Sequence, residues 1–396
     1  MDEDPEGSRA QRRPESTGRR VSYSKSGAGP GELKAATGSD RPAAGGSPIN
    51  DRSHVRGRRV LVTGGSGTIG SRLVDHLLAG GADVVRVFGR DETKQFYQRH
   101  RVPGPGIRFL IGDVRDRDRM VRACEGIDIV FHCAALKHVE SGEYNPFEAT
   151  QTNVLGTQNV IDACLATGVQ TMILTSSDKA ANPTSVMGAS KLLAEKLVSA
   201  ATNYRGSHPT TFASVRFGNV LGSRGSALEL FARQVAEGGP VTVTDPEMTR
   251  FVMSTDRAVD LAIQAAQVAR GGEVFVFKMP AVRLDDLISA AIEIVAPLHG
   301  LDPSTIERRA IEARAGEKGY EELMTEDEST RAIDIGEMYA VLPSIEIDPG
   351  VREAYADRPS APAGAYRSDA VAPLDRDAVR RLIAETLEAD RQAVAT

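Results

Sequence analysis

This sequence is poor in long apolar runs, in cysteine and in excess positive charge, and each shortage closes off a class of function. No stretch approaches the ~20 apolar residues that a membrane-spanning helix needs, so no membrane partner is expected. Only three cysteines occur, Cys124, Cys133 and Cys164, without CxxC spacing or a neighbouring histidine cluster. They read as reduced thiols of an intracellular protein, not as a disulfide framework or a metal site. Basic residues number 48 against 54 acidic ones, a formal net charge of −6, so no global field favours nucleic acid. Arg12-Arg13 and Arg19-Arg20 lack the apolar segment that follows an export signal, and the chain opens on Asp2, Glu3 and Asp4. The expectation is a soluble, cytoplasmic protein.

What is present falls into regions of unlike composition. Residues 1–55 are rich in Gly, Ser, Pro, Arg and Ala, with isolated apolar residues such as Val21 and Leu33. They read as a disordered tail, because too little apolar surface is available to offset the entropy of ordering. From Arg58 onward strand and helix patterns alternate, which predicts a parallel sheet covered on both faces. Expected strands include Arg59–Thr63, Asp83–Phe88, Arg108–Ile111, Ile127–His132, Thr171–Thr175 and Ala213–Phe217. A helix opening at Asn145-Pro146 is expected to run to Ala166, with Gly168 as its stop. Beyond Leu221 the alternation loosens, and 346–396 reads as a loose linker followed by a short amphipathic helix near 377–387.

Two segments carry chemistry. Thr63-Gly64-Gly65-Ser66-Gly67-Thr68-Ile69-Gly70 joins the first strand to the first helix. Gly64 suits a sharp turn, Gly67 a close approach to a pyrophosphate, and Gly70 tight helix–strand packing. Ser66, Thr68 and Ile69 belong to the same helix N-terminus, which favours phosphate through its N–H groups and dipole. This is a dinucleotide site. The tip of the second strand, where an acid normally holds the ribose of NAD, reads Phe88-Gly89-Arg90-Asp91-Glu92. Arg90 favours the 2′-phosphate of NADP; Asp91 or Glu92 turned inward would restore NAD. Asp113 and Val114 follow the third strand at the adenine position, and Ala134 and Ala135 leave room after the fourth.

The second segment is Ser177-Asp178-Lys179 at the end of the fifth strand, with Met187 and Lys191 one turn apart on the next helix. An acid beside an amine, facing a second amine, can move protons between substrate atoms. The fold class that follows is α/β: a Rossmann-type doubly wound parallel sheet with a smaller C-terminal substrate-binding region. The NAD(P)-binding domain is placed at 56–220 and the substrate region, interleaved with the core, at 221–345.

TGGSGTIG, Asn153-Val154-Leu155-Gly156-Thr157 and Lys191 together resemble the extended short-chain dehydrogenase/reductases. A narrower resemblance, to the CapD-type polysaccharide-biosynthesis family, rests on five stretches: Ala134–Val139, Glu143–Glu148, Ser177–Ala180, Met187–Lys191 and Gly316–Leu323. It spans roughly Gly57 to Pro343. That resemblance implies a nucleotide-sugar 4,6-dehydratase acting chiefly on UDP-N-acetylglucosamine: oxidation at C4, loss of water across C5 and C6, and return of the hydride to C6. It implies Asp178 as the C6 acid, Lys179 as the C5 base, Ser177 near the C4 oxygen and Lys191 on the nicotinamide ribose. Asn219, Arg224 and Arg250 match positions near the nucleotide diphosphate. Lys137, His138 and Glu140 fall at the sugar pocket, though a structural role for His138 stays open. Glu317 either touches the nucleotide or caps the helix after it.

One departure stands out. The superfamily tyrosine four residues before the lysine is Met187 here, and a thioether cannot carry the proton of a sugar hydroxyl. With Asp178-Lys179 intact, an active dehydratase is favoured over a nucleotide-sugar epimerase or a non-catalytic NAD(P)-binding protein. Extended members pair two helices into a dimer, which here would use Val154, Ile161, Leu165, Leu192, Leu193 and Leu197. A homodimer or higher homo-oligomer is therefore expected.

Overall fold

Nine strands form the main sheet: β1 (Arg59–Thr63), β2 (Val84–Gly89), β3 (Ile107–Ile111), β4 (Ile129–His132), β5 (Thr171–Thr175), β6 (Thr211–Arg216), β7 (Val274–Phe277), β8 (Ala332–Asp334) and β9 (Met338–Val341). This computed structural model describes residues 52–223, 225–312, 318–346 and 348–395, all within the unit Ala43–Thr396. The spatial order is β8-β9-β7-β6-β5-β4-β1-β2-β3. Pairing is parallel from β3 across to β7, and β9 then runs antiparallel to both β7 and β8. The Rossmann-type α/β fold expected from the alternation is what forms.

The burial pattern explains why both faces are covered. In β1, Val60 and Val62 enter one apolar cluster with Leu73 and Leu77, while Leu61 enters another with Phe88, Met120 and Val160. Successive side chains of a strand point to opposite faces, so an unbroken Val-Leu-Val run needs helices on both sides. A third cluster, with Phe231, Ile288 and Ile383, joins helices Ala227–Ala236, Leu284–Leu298 and Arg376–Ala395. β1 lies between β2 and β4, so chain order reverses there and opens a crevice at the carboxyl ends of the strands.

Four expectations are revised. Residues 1–51 lie outside the described residues, but the fold begins before 56: Val55 is fully buried and Arg52 pairs with Asp260 at 2.6 Å. The helix expected over 146–166 is three pieces, Pro146–Ala149, a π turn Thr150–Leu155 and Gly156–Thr167, ending at Gly168 with φ +74°. Such π turns occur often at functional sites, and Asn153 lies within this one. The stretch after 346 is more than a linker, because Tyr366–Arg367 pairs antiparallel with Glu322–Met324 and Ser368 is fully buried. Finally, Ile161 is fully buried in the cluster with Leu61 and Met120, and Val154 is nearly fully buried. Leu155, Leu193 and Tyr204 stay about half exposed instead.

Candidate functional site

The glycine-rich turn follows β1 directly. Gly64 has φ +65°, and a Cβ there would lie 2.8 Å from the Ala134 backbone nitrogen. A Cβ on Gly70 would come within 2.3 Å of the Gly64 carbonyl oxygen, so both positions require glycine. Gly67 caps helix Thr68–Ala79 and supplies no side-chain acceptor to its first turn. A cradle that closes only around glycines, at the N-terminus of a helix, fits a dinucleotide pyrophosphate. Beside it, Ser66 is buried and His132 bridges Thr63 Oγ1 at 2.6 Å and Thr157 Oγ1 at 3.1 Å. Burial pushes His132 down to about 3, so it stays neutral.

At the tip of β2, Arg90 lies 3.5 Å from Asp113 across the strand ends. Asp91 is occupied locally: it accepts from the Lys94 N–H at 2.9 Å as the cap of helix Glu92–Arg101 and pairs with Lys94 Nζ. Val114 is buried, and its backbone carbonyl accepts from Asn159. Ala134 and Ala135 line the turn after β4, where Asn153 holds the loop by bonding both the N–H and the carbonyl of Leu136. Asn153 also donates to Ser190 Oγ at 2.9 Å, linking this loop to helix Val186–Tyr204.

The β5 end presents Ser177, Asp178 and Lys179 in a single turn of 3₁₀ helix. Lys179 Nζ lies 3.0 Å from Asp178 Oδ2 and 3.2 Å from Oδ1, while Ser177 Oγ donates to Oδ1 at 2.7 Å. Asp178 is only 6 % exposed. Desolvation pulls the Lys179 ammonium down, but Asp178 and then Glu321 outweigh it and hold it above its usual value. Lys191, one turn after Met187, is turned elsewhere: its Nζ donates to the Thr175 carbonyl at 2.6 Å. Burial lowers it to about 8. Met187 is buried and packs beside Gly142 of helix Val139–Tyr144.

The substrate-side residues divide. Asn219 and Arg250 meet at one carboxylate, Glu321. Asn219 Nδ2 lies 2.8 Å from both Glu321 oxygens, and Arg250 Nε lies 3.6 Å from Oε1. Lys137, His138 and Glu140 are exposed on the rim. A Cβ on Gly225 would lie 2.9 Å from His138 Cε1, so the loop after Val220 reaches this rim. Arg224, on that loop, and Glu317 lie outside the described residues.

Three contributors went unread in the sequence. Glu321 stands in the Gly316–Leu323 stretch, but nothing in Tyr320-Glu321-Glu322 says which carboxylate turns inward. Burial and then the Asp178 charge push Glu321 up to about 7, against Lys179, Arg250 and Asn219. Asn182, the one described non-glycine residue with positive φ (+46°), donates to both Glu322 oxygens at 2.9 and 2.8 Å. Asparagine tolerates this conformation better than most residues, and the bond ties the turn after Lys179 to the Glu321 segment. Ser368 was invisible because its partners are distant in sequence.

Residues 60–343 match the family described as "Polysaccharide biosynthesis protein". Over 286 residues the chain is 50 % identical to an uncharacterized membrane protein of Methanocaldococcus jannaschii, covering 72 % of this chain and 86 % of that one. It is 39 % identical over 291 residues to a UDP-N-acetylglucosamine 4,6-dehydratase (inverting) of Campylobacter jejuni, covering 73 % and 84 %. A UDP-glucose 4-epimerase of Rickettsia rickettsii is 40 % identical over 288 residues, covering 72 % and 82 %. Among solved structures, Pen from Bacillus thuringiensis aligns with a TM-score of 0.78 at 44 % identity, covering 84 % of this chain and 98 % of that one. No helix among the described residues is long and apolar enough to cross a membrane.

Proposed function

Because the chain belongs to the polysaccharide biosynthesis protein family, within the nucleotide-sugar dehydratases and epimerases, we propose that it is a UDP-N-acetylglucosamine 4,6-dehydratase. The observation that carries this reading is the acid–amine pair of a buried Asp178 and a part-exposed Lys179, 3.0 Å apart. Elimination across C5 and C6 needs a base and an acid on adjacent atoms, and epimerisation at C4 needs no acid at C6.

The chain's own residues divide the work. Gly64–Gly70 binds the pyrophosphate of a nicotinamide dinucleotide, which supplies a hydride acceptor that is restored within the same turnover. Arg90, with Asp91 committed to its helix cap, favours the 2′-phosphate of NADP over the ribose of NAD. Lys191 holds the nicotinamide ribose, and Ala134 and Ala135 admit the ring. With the shared proton shifted from Lys179 to Asp178, Lys179 takes the C5 proton once C4 is a ketone and Asp178 gives its proton to the leaving C6 hydroxyl. Ser177 orients the C4 oxygen. Asn219, Arg224 and Arg250 serve the diphosphate, where a guanidinium fork pairs two oxygens, and Lys137, His138, Glu140 and Glu317 serve the sugar and nucleotide. The enzyme works in the cytoplasm, in keeping with three free cysteines. It pairs with a second copy through Leu155, Leu193 and Tyr204.

Incubation of the purified protein and NADP with UDP-N-acetylglucosamine, followed by mass spectrometry, tests the reading. Loss of one water without net cofactor reduction is the expected result. Conversion of UDP-glucose to its C4 epimer, with no loss of water from any sugar, would favour the epimerase reading that the Rickettsia relative suggests.

A further inference from the structure

We propose that Glu321 is a positioning residue of this site: it fixes Asn219 and Arg250 beside the Asp178–Lys179 pair. The inference rests on the dehydratase reading and deepens it.

The geometry is specific. The Glu321 side chain is 10 % exposed and both its oxygens are engaged: Asn219 Nδ2 at 2.8 Å from each, the Phe251 N–H at 2.9 Å from Oε2, and Arg250 Nε at 3.6 Å from Oε1. The Arg250 separation is long for an ion pair, and the other two guanidinium nitrogens donate to the Thr249 carbonyl and to Met248 Sδ. Glu321 thus steers Arg250 through Nε, and the Thr249 carbonyl and Met248 Sδ hold the rest of the guanidinium in place.

The hold on Glu321 comes from outside the matched family residues. Ser368 Oγ accepts from the Glu321 N–H at 2.9 Å, bonds Thr249 Oγ1 at 2.8 Å and donates to the Thr249 carbonyl at 3.2 Å. The Ser368 N–H returns a bond to the Glu321 carbonyl at 2.9 Å. The family match ends at 343, so the Tyr366–Ser368 strap seats the carboxylate from outside the matched residues.

The charged groups around it are Asp178 and Lys179 from the β5 turn and Arg250 from strand Thr249–Met253. On the strap, Arg367 is taken by Asp369 and stacks over Tyr320. An ionised Glu321 favours the ammonium form of Lys179, so removing its charge lets Lys179 act as a base at lower pH. Burial pushes Glu321 itself up to about 7, so its charge changes across the working range.

The experiment compares full-length wild type, Glu321→Gln and Glu321→Asp. It records pH–rate profiles with UDP-N-acetylglucosamine and affinity for UDP by calorimetry. Gln should move the rising limb of kcat/KM down by about one pH unit. Asp, which keeps the charge but shortens its reach, should leave the limb in place and weaken UDP binding about tenfold. A uniform fall in rate with an unmoved limb in Gln, or unchanged UDP affinity in Asp, would overturn the proposal. If wild type dehydrates no sugar, the parent reading fails on its own, and the UDP arm still decides whether Glu321 seats Arg250.

Discussion

Two ionic clusters lie at opposite ends of one short segment and are built to opposite specifications. Around Arg216, which is 1 % exposed, Glu195 and Glu328 each engage the guanidinium through both carboxylate oxygens, and the Leu323 carbonyl accepts a further bond at 3.0 Å. Every donor is aimed and every acceptor filled, as a buried charge requires if it is not to destabilise the fold. Around Lys179 the same kinds of groups are set loosely. Asp178 is shared by an amine and a hydroxyl, Glu321 sits near a guanidinium at 3.6 Å, and Lys179 keeps 37 % of its side chain exposed. A closed cluster holds a fold in place. One left open on the Lys179 side keeps its amine within reach of a substrate. The first anchors the second, because Glu328 and the Leu323 carbonyl pin the segment that carries Glu321.

The comparison breaks most sharply at its reactive end. Lys179→Ala or Asp178→Asn should lower dehydration by about a thousandfold or more while the melting temperature stays within a few degrees. Near-normal turnover in either would remove the pair from the mechanism. At the anchoring end Glu328→Ala should act on the other axis, costing about 3 kcal/mol or more in denaturant unfolding, because it strips one carboxylate from a fully buried guanidinium. A loss below about 0.5 kcal/mol would mean that the Arg216 cluster is not structural.

Lys191 stands between the two extremes, buried yet lowered only to about 8. Its unfolded value is about 10.4, so the folded state sheds its proton first. Folding stability from this group therefore rises as pH climbs from about 8 to about 10. In cofactor-free protein Lys191→Met should gain about 1–2 kcal/mol at pH 7, and that gain should vanish by about pH 10. A gain that is independent of pH would contradict the assignment. Smaller still is Met187→Tyr, which restores the superfamily residue beside Gly142; a rise in turnover of less than about tenfold is expected. A larger rise would make Met187 a lesion. Removal of residues 1–50, which spares the Arg52–Asp260 pair, should change neither melting temperature nor turnover.

The same contrast explains what the sequence made legible. The glycine turn and Ser177-Asp178-Lys179 announce themselves because their chemistry depends on neighbours within a few residues: a strand end, a tight turn, an adjacent amine. The Val-Leu-Val run of β1 reveals a strand buried on both faces for the same reason. Glu321 and Ser368 gave no such sign, since their meaning comes from Asn219, Thr249 and Arg250, brought near by sheet topology. The π turn at Thr150–Leu155 was hidden too, because one extra residue in a helical turn leaves little trace in local apolar periodicity. Ile161 read as surplus apolar surface and proved to be core, because helix Gly156–Thr167 buries more of its circumference than the expected interface allowed.

The central claim is that the Asp178–Lys179 pair moves a proton at C5, and deuterium labelling reads that step directly. Turnover of UDP-N-acetylglucosamine in heavy water should yield a 4-keto-6-deoxy product with solvent deuterium at C5 and the original C4 hydrogen at C6, and Lys179→Ala should yield none of it. A product with no solvent deuterium at C5, formed as fast by Lys179→Ala as by wild type, would contradict the account.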